Sequence, residues 1–308
     1  MTDRVVALSE QSIKRGSKSF AAAARLFDRE TRDDCVMLYA WCRHCDDVID
    51  GQTLGHEQQA DFRDGQLERL DVLRRQTDEA LRNGRSDDPI FVALSLVAQR
   101  RAIPPLHPQQ LLRGFQMDVE GRTYETVEDT LDYGYHVAGV VGVMMAMIMG
   151  ARDPAVLDRA SDLGIAFQLT NIARDVIDDA RSGRVYLPAE LLREQGLDAV
   201  DAGDAAQWPH LHAAALRLLD IAEPYYTSAL AGMSVLPPRS AWAIGAARRV
   251  YRAIGEKLRR GGPSAWKERV SSSKAEKVAL LLAGLGDVAV SRVAPRSAPR
   301  TGLYQRPG

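Results

Sequence analysis

The stretch Gln168-Leu169-Thr170-Asn171-Ile172-Ala173-Arg174-Asp175-Val176-Ile177-Asp178-Asp179 constrains the fold more than any other part of the chain. At about 100° per residue, Gln168, Asn171, Asp175 and Asp179 share one helical stripe, while Leu169, Ile172, Ala173, Val176 and Ile177 cover the other side. That side is apolar enough to be buried. The remaining face then holds two carboxylates, a carboxamide and a guanidinium, and buried charge is costly unless it is paired. The expected partner is a cation.

The rest of the chain has the same helical character. Aromatic residues make up only 6% and alternating runs are few, whereas Ala, Leu, Arg, Glu and Gln dominate, which predicts an all-α fold. Ser19 is placed to cap an alanine-rich helix running to Phe27. Thr31 with Asp34 resembles a capping box, opening a helix through Asp50 that Gly51 terminates. Further helices are expected from Glu57 to Arg82, Ile90 to Arg101, Pro108 to Glu120 and Glu128 to Gly150. Pro154 to Arg181, Ala205 to Met233, Ser240 to Arg260 and Ala275 to Val290 complete the set. With no repeat and no break in composition, residues 1–290 read as one domain. The tail, 291–308, carries Arg292, Arg296, Arg300 and Arg306 with no acid and much proline, and is expected to be disordered.

The 308 residues suffice for a large core, and 40 basic against 41 acidic residues leave a net charge of −1, which gives no reason to expect nucleic acid. Cys35, Cys42 and Cys45 are too few and too close for a disulfide framework, and Met1 to Lys18 has no apolar segment of the secretory type. Both point to a reducing, cytoplasmic setting. Tyr133 to Ala151 is an uncharged run whose strongly apolar part falls short of the ~20 residues a span needs, so a buried helix is expected there. Cys42, His44 and Cys45 do not share one helix face and lack a second pair, which excludes a zinc site. The basic run Arg248, Arg249, Arg252, Lys257, Arg259 and Arg260 reads as a solvated face, with contact to anionic lipid as the alternative.

On the helix ending at Gly51, Tyr39, Cys42, Arg43, Asp46 and Asp50 lie on one stripe. Two distant helices therefore each carry Asp-x-x-x-Asp with an arginine beside it, Arg43 in one and Arg174 in the other. Hard carboxylate oxygens without a His or Cys set suit Mg²⁺ or Mn²⁺, and magnesium shares its coordination with waters and substrate phosphates. Facing pairs of this kind would clamp a diphosphate, with Arg43, Arg174 and Lys18 neutralising it and the Ser17–Phe20 segment offering hydroxyls and amides. The plain alternative has Arg174 bridging Asp178 on an exposed face, which leaves Gln168 and Asn171 unexplained.

Three motifs together make the reading specific: Asp46-Asp47-Val48-Ile49-Asp50, the Gln168–Asp179 stretch, and Gly183-Arg184-Val185-Tyr186-Leu187-Pro188. In combination the chain resembles the squalene/phytoene synthase family from about Ser17 to its last helix. That resemblance implies a single isoprenoid-synthase helical bundle with a central cavity. Its implied chemistry is head-to-head condensation of two geranylgeranyl diphosphates through a cyclopropyl intermediate to phytoene, in carotenoid biosynthesis. It also implies Asp46, Asp50, Asp175 and Asp179 as metal positions, with Asn171 assisting. Ser17, Lys18, Ser19, Phe20, Arg43 and Arg174 correspond to diphosphate-binding positions, Tyr251 and Arg269 to a further pair, and Tyr39 and Tyr133 to aromatic walls of the chamber. Cation–π contact with Tyr39, Tyr133 or Tyr251 is worth roughly 0.5–2 kcal/mol each.

Several alternatives stay open at the level of sequence. A related synthase would use farnesyl diphosphate to make dehydrosqualene or squalene, and a true squalene synthase would need NADPH, for which no dinucleotide-binding loop is present. An inactive relative serving as a lipid-binding or assembly scaffold is a different class of reading. The family link also brings ATP as an accessory factor, although the chain has no P-loop, and handover of prenyl substrates or product to neighbouring enzymes. Val143 to Met149 reads equally as core or as a wall for a prenyl chain. Gly139 and Gly142 favour the latter slightly by leaving room on the helix.

Overall fold

Aspartates and prolines set where most of the helices begin. The computed structural model describes residues 2–16, 23–53, 61–84, 86–268, 270–293 and 299–307. Helices account for nearly all of the secondary structure, and no β-strand is formed among these residues. In chain order the helices are α1 (Thr2–Gly16), α2 (Arg29–Asp50), α3 (Gln66–Asn83), α4 (Pro89–Arg101) and α5 (Leu106–Val119). They continue with α6 (Val127–Ile148), α7 (Pro154–Arg181), α8 (Ala189–Arg193), α9 (Trp208–Gly232), α10 (Pro238–Gly261) and α11 (Lys274–Val293). Asp153 caps α7 ahead of Pro154, Asp88 caps α4 ahead of Pro89, and Thr126 with Asp129 forms a full capping box on α6.

Helix α2 starts differently from the sequence expectation. Asp28 is its N-cap, accepting from the Thr31 amide at 2.9 Å, so Thr31 lies inside the first turn. Asp34 is fully buried and receives Arg101 Nε at 2.5 Å and Arg100 at 3.3 Å, tying α2 to the end of α4. Gly51 ends the helix as expected, in the left-handed region at φ 58°, where a side chain would be strained. Ser19, the expected cap of the preceding helix, lies outside the described residues. Helix α3 begins at Gln66, well inside the expected Glu57–Arg82.

Helix α7 is the central rod, packed on α6, α9 and α10. Its approach to α6 is set by glycines. A Cβ on Gly142 would lie 2.3 Å from the Ala160 carbonyl oxygen, and one on Gly164 would lie 2.3 Å from that of Ala138. Gly139 is similarly closed by Ser161 at 2.9 Å. Close helix packing thus accounts for Gly139, while Gly142 meets both expectations, packed against Ala160 and also bordering the central cavity. Between Tyr135 and Gly139 helix α6 opens into a π turn. Every-fourth-residue spacing drifts about 40° per step around an α-helix, and the wider turn takes up part of that drift, keeping Tyr133, Val137, Val141, Met145 and Met149 on one wall. Met144, Met147 and Ile148 face the core instead, so the methionine-rich segment serves both purposes.

Two charged segments behave unlike their sequence expectation. On α10, Arg248 and Arg249 converge on buried Asp287, Arg252 pairs with Glu223, Lys257 with Glu276 and Arg259 with Asp220. This basic run is thus paired with acids of the fold, while Arg252, Arg259 and Arg260 stay exposed as a solvated face would be. The tail is ordered from Pro299 to Pro307 rather than disordered. Arg300 grips fully buried Asp162 of α7 at 2.8 and 2.7 Å, Arg306 reaches Asp158 at 2.5 Å, and the Tyr304 hydroxyl donates to Asp132 of α6 at 2.8 Å. Fully buried Asp162 and half-buried Asp158 on α7, with Asp132 on α6, are the cause, since a sheltered carboxylate is costly without a cation or donor beside it.

Candidate active site

Between α2, α5, α6, α7 and α10 lies a cavity of about 750 Å³. One end is polar. Helix α2 contributes Tyr39, Cys42, Arg43 and Asp46 to it, α5 contributes Asp118, α6 Tyr133, α7 Gln168, Asn171 and Arg174, and α10 Tyr251. The helical stripes expected from sequence thus face one space. Beyond them the walls are mostly apolar, with Met145, Met149, Leu163, Met233 and Leu236 among the lining, broken by Arg159, Ser271, Ser272 and Lys277. Asp175 directly follows lining residue Arg174, and Asp50 and Asp179 stand about one helical turn outside the lining, at the same end. Ser17, Lys18, Ser19, Phe20 and Arg269 lie outside the described residues.

The arginines are already engaged with the carboxylates. Arg43 donates to Asp46 and lies 4.0 Å from Asp47, while Arg174 makes a two-pronged contact with Asp175 through Nε, at 2.7 Å, and Nη2. Asp178 is exposed and near Arg181 at 3.5 Å, so the bridge from Arg174 to Asp178 does not form. Tyr39 has its hydroxyl against Arg43, and burial raises its pKa while that guanidinium pulls the other way. Tyr251 stacks on Phe167 with ring centres 4.0 Å apart and lies in the field of Arg174.

Two site residues had no role assigned from sequence. Arg184, from the turn after α7, holds Asp50 at 2.6 and 3.3 Å, and its charge offsets part of the upward push that burial gives Asp118 and Asp179, linking the α2 and α7 carboxylates. Its place in Gly183–Pro188 was visible, but its partner lies 134 positions away. Asp118 accepts from the Tyr133 hydroxyl at 3.1 Å and the Tyr186 hydroxyl at 2.8 Å, beneath stacked rings 4.8 Å apart. A single acid on α5 gave no sequence signal of its own.

Five carboxylates (Asp46, Asp50, Asp118, Asp175, Asp179) therefore meet three guanidiniums (Arg43, Arg174, Arg184). The surplus is negative and partly sheltered. Burial pushes Asp46 and Asp179 up to about 7 and Asp118 to about 6, against the pull of the arginines, and neighbouring carboxylates add to it. A divalent cation with hard oxygen preference fits this donor set. Cys42 does not join it, because burial holds its thiol up to about 12. Among the described residues no three acidic, histidine or cysteine side chains converge as a ready-made cage. That matches magnesium, which takes one or two carboxylates at a time and fills its octahedron with water and phosphate oxygens.

An all-helical bundle around an apolar cavity with such an acidic, arginine-rich mouth is an isoprenoid-synthase fold. The squalene/phytoene synthase family profile matches residues 13–276, and the chain belongs to that family. It is 55% identical over 307 residues to a 15-cis-phytoene synthase of Paracoccus sp. (strain N81106 / MBIC 01143), covering 100% of this chain and 99% of that one. It is 52% identical over 293 residues to the 15-cis-phytoene synthase of Enterobacter agglomerans, covering 95% and 99%. A crystal structure of a dehydrosqualene synthase in complex with ligand superposes with a TM-score of 0.81 at 28% identity, over 94% and 98% of the two chains.

Proposed function

We propose that this chain is a prenyltransferase that condenses two geranylgeranyl diphosphates head to head into phytoene, releasing two diphosphates. The observation that carries the reading is a long apolar cavity closed at one end by two Asp-x-x-x-Asp helices and their arginines. The high identity to phytoene synthases favours the twenty-carbon substrate over farnesyl diphosphate. Asp46, Asp50, Asp175 and Asp179, with Asn171 alongside, would hold Mg²⁺ or Mn²⁺, which supplies positive charge to a departing diphosphate.

The protein's own part follows from the geometry. Arg43 and Arg174 stand at the cavity edge, where each can exchange its aspartate for a phosphate oxygen by a charge-assisted bond. Arg184 holds Asp50 in place. The faces of Tyr39, Tyr133 and Tyr251 border the space in which an allylic cation would form. Apolar side chains over the rest of the wall keep water from that cation, which matters because capture by water would end the rearrangement early. Condensation of two allylic diphosphates to phytoene is redox-neutral, so it calls for no reductant such as NADPH.

A product of forty carbons has no place in water, and α11 presents a matching surface. Its solvent face carries Val278, Leu282, Leu285, Val290 and Val293, all exposed, with Lys274 and Arg292 along one edge. A cytoplasmic enzyme touching the membrane through this face is the accompanying proposal. The longest apolar helix, Val127–Ile148, is instead mostly buried in the bundle. The catalytic reading is tested with Asp46→Ala and Asp175→Ala. Each is expected to abolish turnover of geranylgeranyl diphosphate while keeping the helical circular-dichroism spectrum, and near-normal activity in either would sink the assignment.

A further inference from the structure

Deep in the apolar part of the cavity is a cation that the proposed chemistry does not use. Arg159 lines the cavity, is only 8% exposed, and lies on the same face of α7 as Leu163, Phe167, Asn171 and Arg174. From Arg174 back to Arg159 is fifteen residues, or about 22 Å of helix at 1.5 Å each. The sixteen main-chain carbons of an extended geranylgeranyl group span roughly 19 Å by ordinary bond lengths, and the twelve of a farnesyl group roughly 14 Å. Arg159, with Val156 one turn further along the lining, therefore stands where the last isoprene unit of the longer chain ends and where the shorter one does not reach.

Its side chain is fixed from behind. Gly232 of α9 abuts the stem so closely that a Cβ there would lie 2.8 Å from that of Arg159. The guanidinium donates to the carbonyl and the hydroxyl of Ser228, both at 3.2 Å, and the Ser228 hydroxyl donates to Asp162 at 2.5 Å. Asp162 is fully buried and is completed by Arg300 of the C-terminal tail, which also donates to the Tyr304 carbonyl at 2.9 Å. The relay Arg159–Ser228–Asp162–Arg300 thus runs from the cavity wall to the outside of the bundle.

Resting on the prenyl-diphosphate reading above, we infer that Arg159 is the end wall that sets prenyl-chain length. Arg300 acts as a positioning residue that holds this wall through Asp162 and Ser228. The charged head is drawn into the relay and the methylene stem is what the chain end meets. Shortening the stem lengthens the tunnel, and cutting the relay frees the wall to move.

The test compares kcat/KM for fifteen-, twenty- and twenty-five-carbon all-trans prenyl diphosphates in the full-length protein. Arg159→Ala is expected to raise the ratio of twenty-five- to twenty-carbon use by about tenfold or more, since even one methylene in an apolar pocket is worth about that much discrimination. The ratio of fifteen- to twenty-carbon use should stay unchanged. Arg300→Met should move the first ratio the same way to a smaller degree, and Arg300→Lys should restore part of it. If Arg159→Ala folds poorly, Arg159→Val carries the same expectation. A parallel fall for all three lengths, or unchanged ratios in both the Arg159 and Arg300 variants, would overturn the inference. Failure of the unsubstituted protein to use any of the three would overturn the reading beneath it, and the inference with it.

Discussion

Asp179→Asn should make the metal-free protein more stable at pH 8 while destroying its activity. Asp179 is raised from 3.8 to about 7, first by burial and then by Asp175. At 1.36 kcal/mol per unit the full shift would be about 4 kcal/mol, and with solvent reaching part of the side chain about 1–2 kcal/mol is a fair expectation. The folded carboxyl titrates above the unfolded one. Its stabilising, protonated form is therefore complete below about pH 4 and lost as pH rises through about 7. Asparagine stays neutral throughout, so its advantage exists at pH 8 and vanishes near pH 4. Thermal unfolding in a chelator should show a gain of about 2 °C per kcal/mol at pH 8. Saturating Mg²⁺ with inorganic diphosphate should reverse the order, because ligand at a hundred times its Kd adds about 2.7 kcal/mol to the form that binds it. An Asp179→Asn protein that is less stable than its parent at pH 8, or equally stabilised at both pH values, would refute the picture of carboxylates held together against their own repulsion.

Other outcomes follow from the same geometry. Arg184→Met removes the guanidinium that holds Asp50 at 2.6 Å and should cost about 2–3 kcal/mol in denaturant unfolding, together with most of the turnover. Gly142→Val forces a side chain against the Ala160 carbonyl and should destabilise by at least about 2 kcal/mol, seen as a lower midpoint at unchanged slope. Activation by Mg²⁺ should weaken as pH falls below about 7, since protons then compete for Asp46 and Asp179. A titration at pH 6 and pH 8 measures this as a higher half-saturating concentration at the lower pH.

Local period made most of the site legible. Gln168, Asn171 and Arg174 reach the cavity, with Asp175 and Asp179 at the same end, because all sit on one stripe of an uninterrupted helix, and the α2 stripe works the same way. What sequence concealed were pairings between distant residues. Asp34 looked like a cap and is an anchor for Arg100 and Arg101, some 66 positions on. Asp118 matters only because Tyr133 and Tyr186 fold over it. The tail's composition suggested disorder, yet its arginines answer buried Asp162 and half-buried Asp158 on α7. Helix α1 was passed over although Val5, Ser9 and Ile13 recur every four residues and are buried, since its many charges masked the stripe. In each case the deciding partner is remote in sequence or the apolar stripe is only one residue wide.

The most direct test of the whole account is the product itself. Purified protein supplied with Mg²⁺ or Mn²⁺ and geranylgeranyl diphosphate alone, with no NADPH, should yield a forty-carbon hydrocarbon with the mass of phytoene together with two diphosphates for each product molecule. A thirty-carbon product from farnesyl diphosphate, with geranylgeranyl diphosphate left untouched, would contradict it.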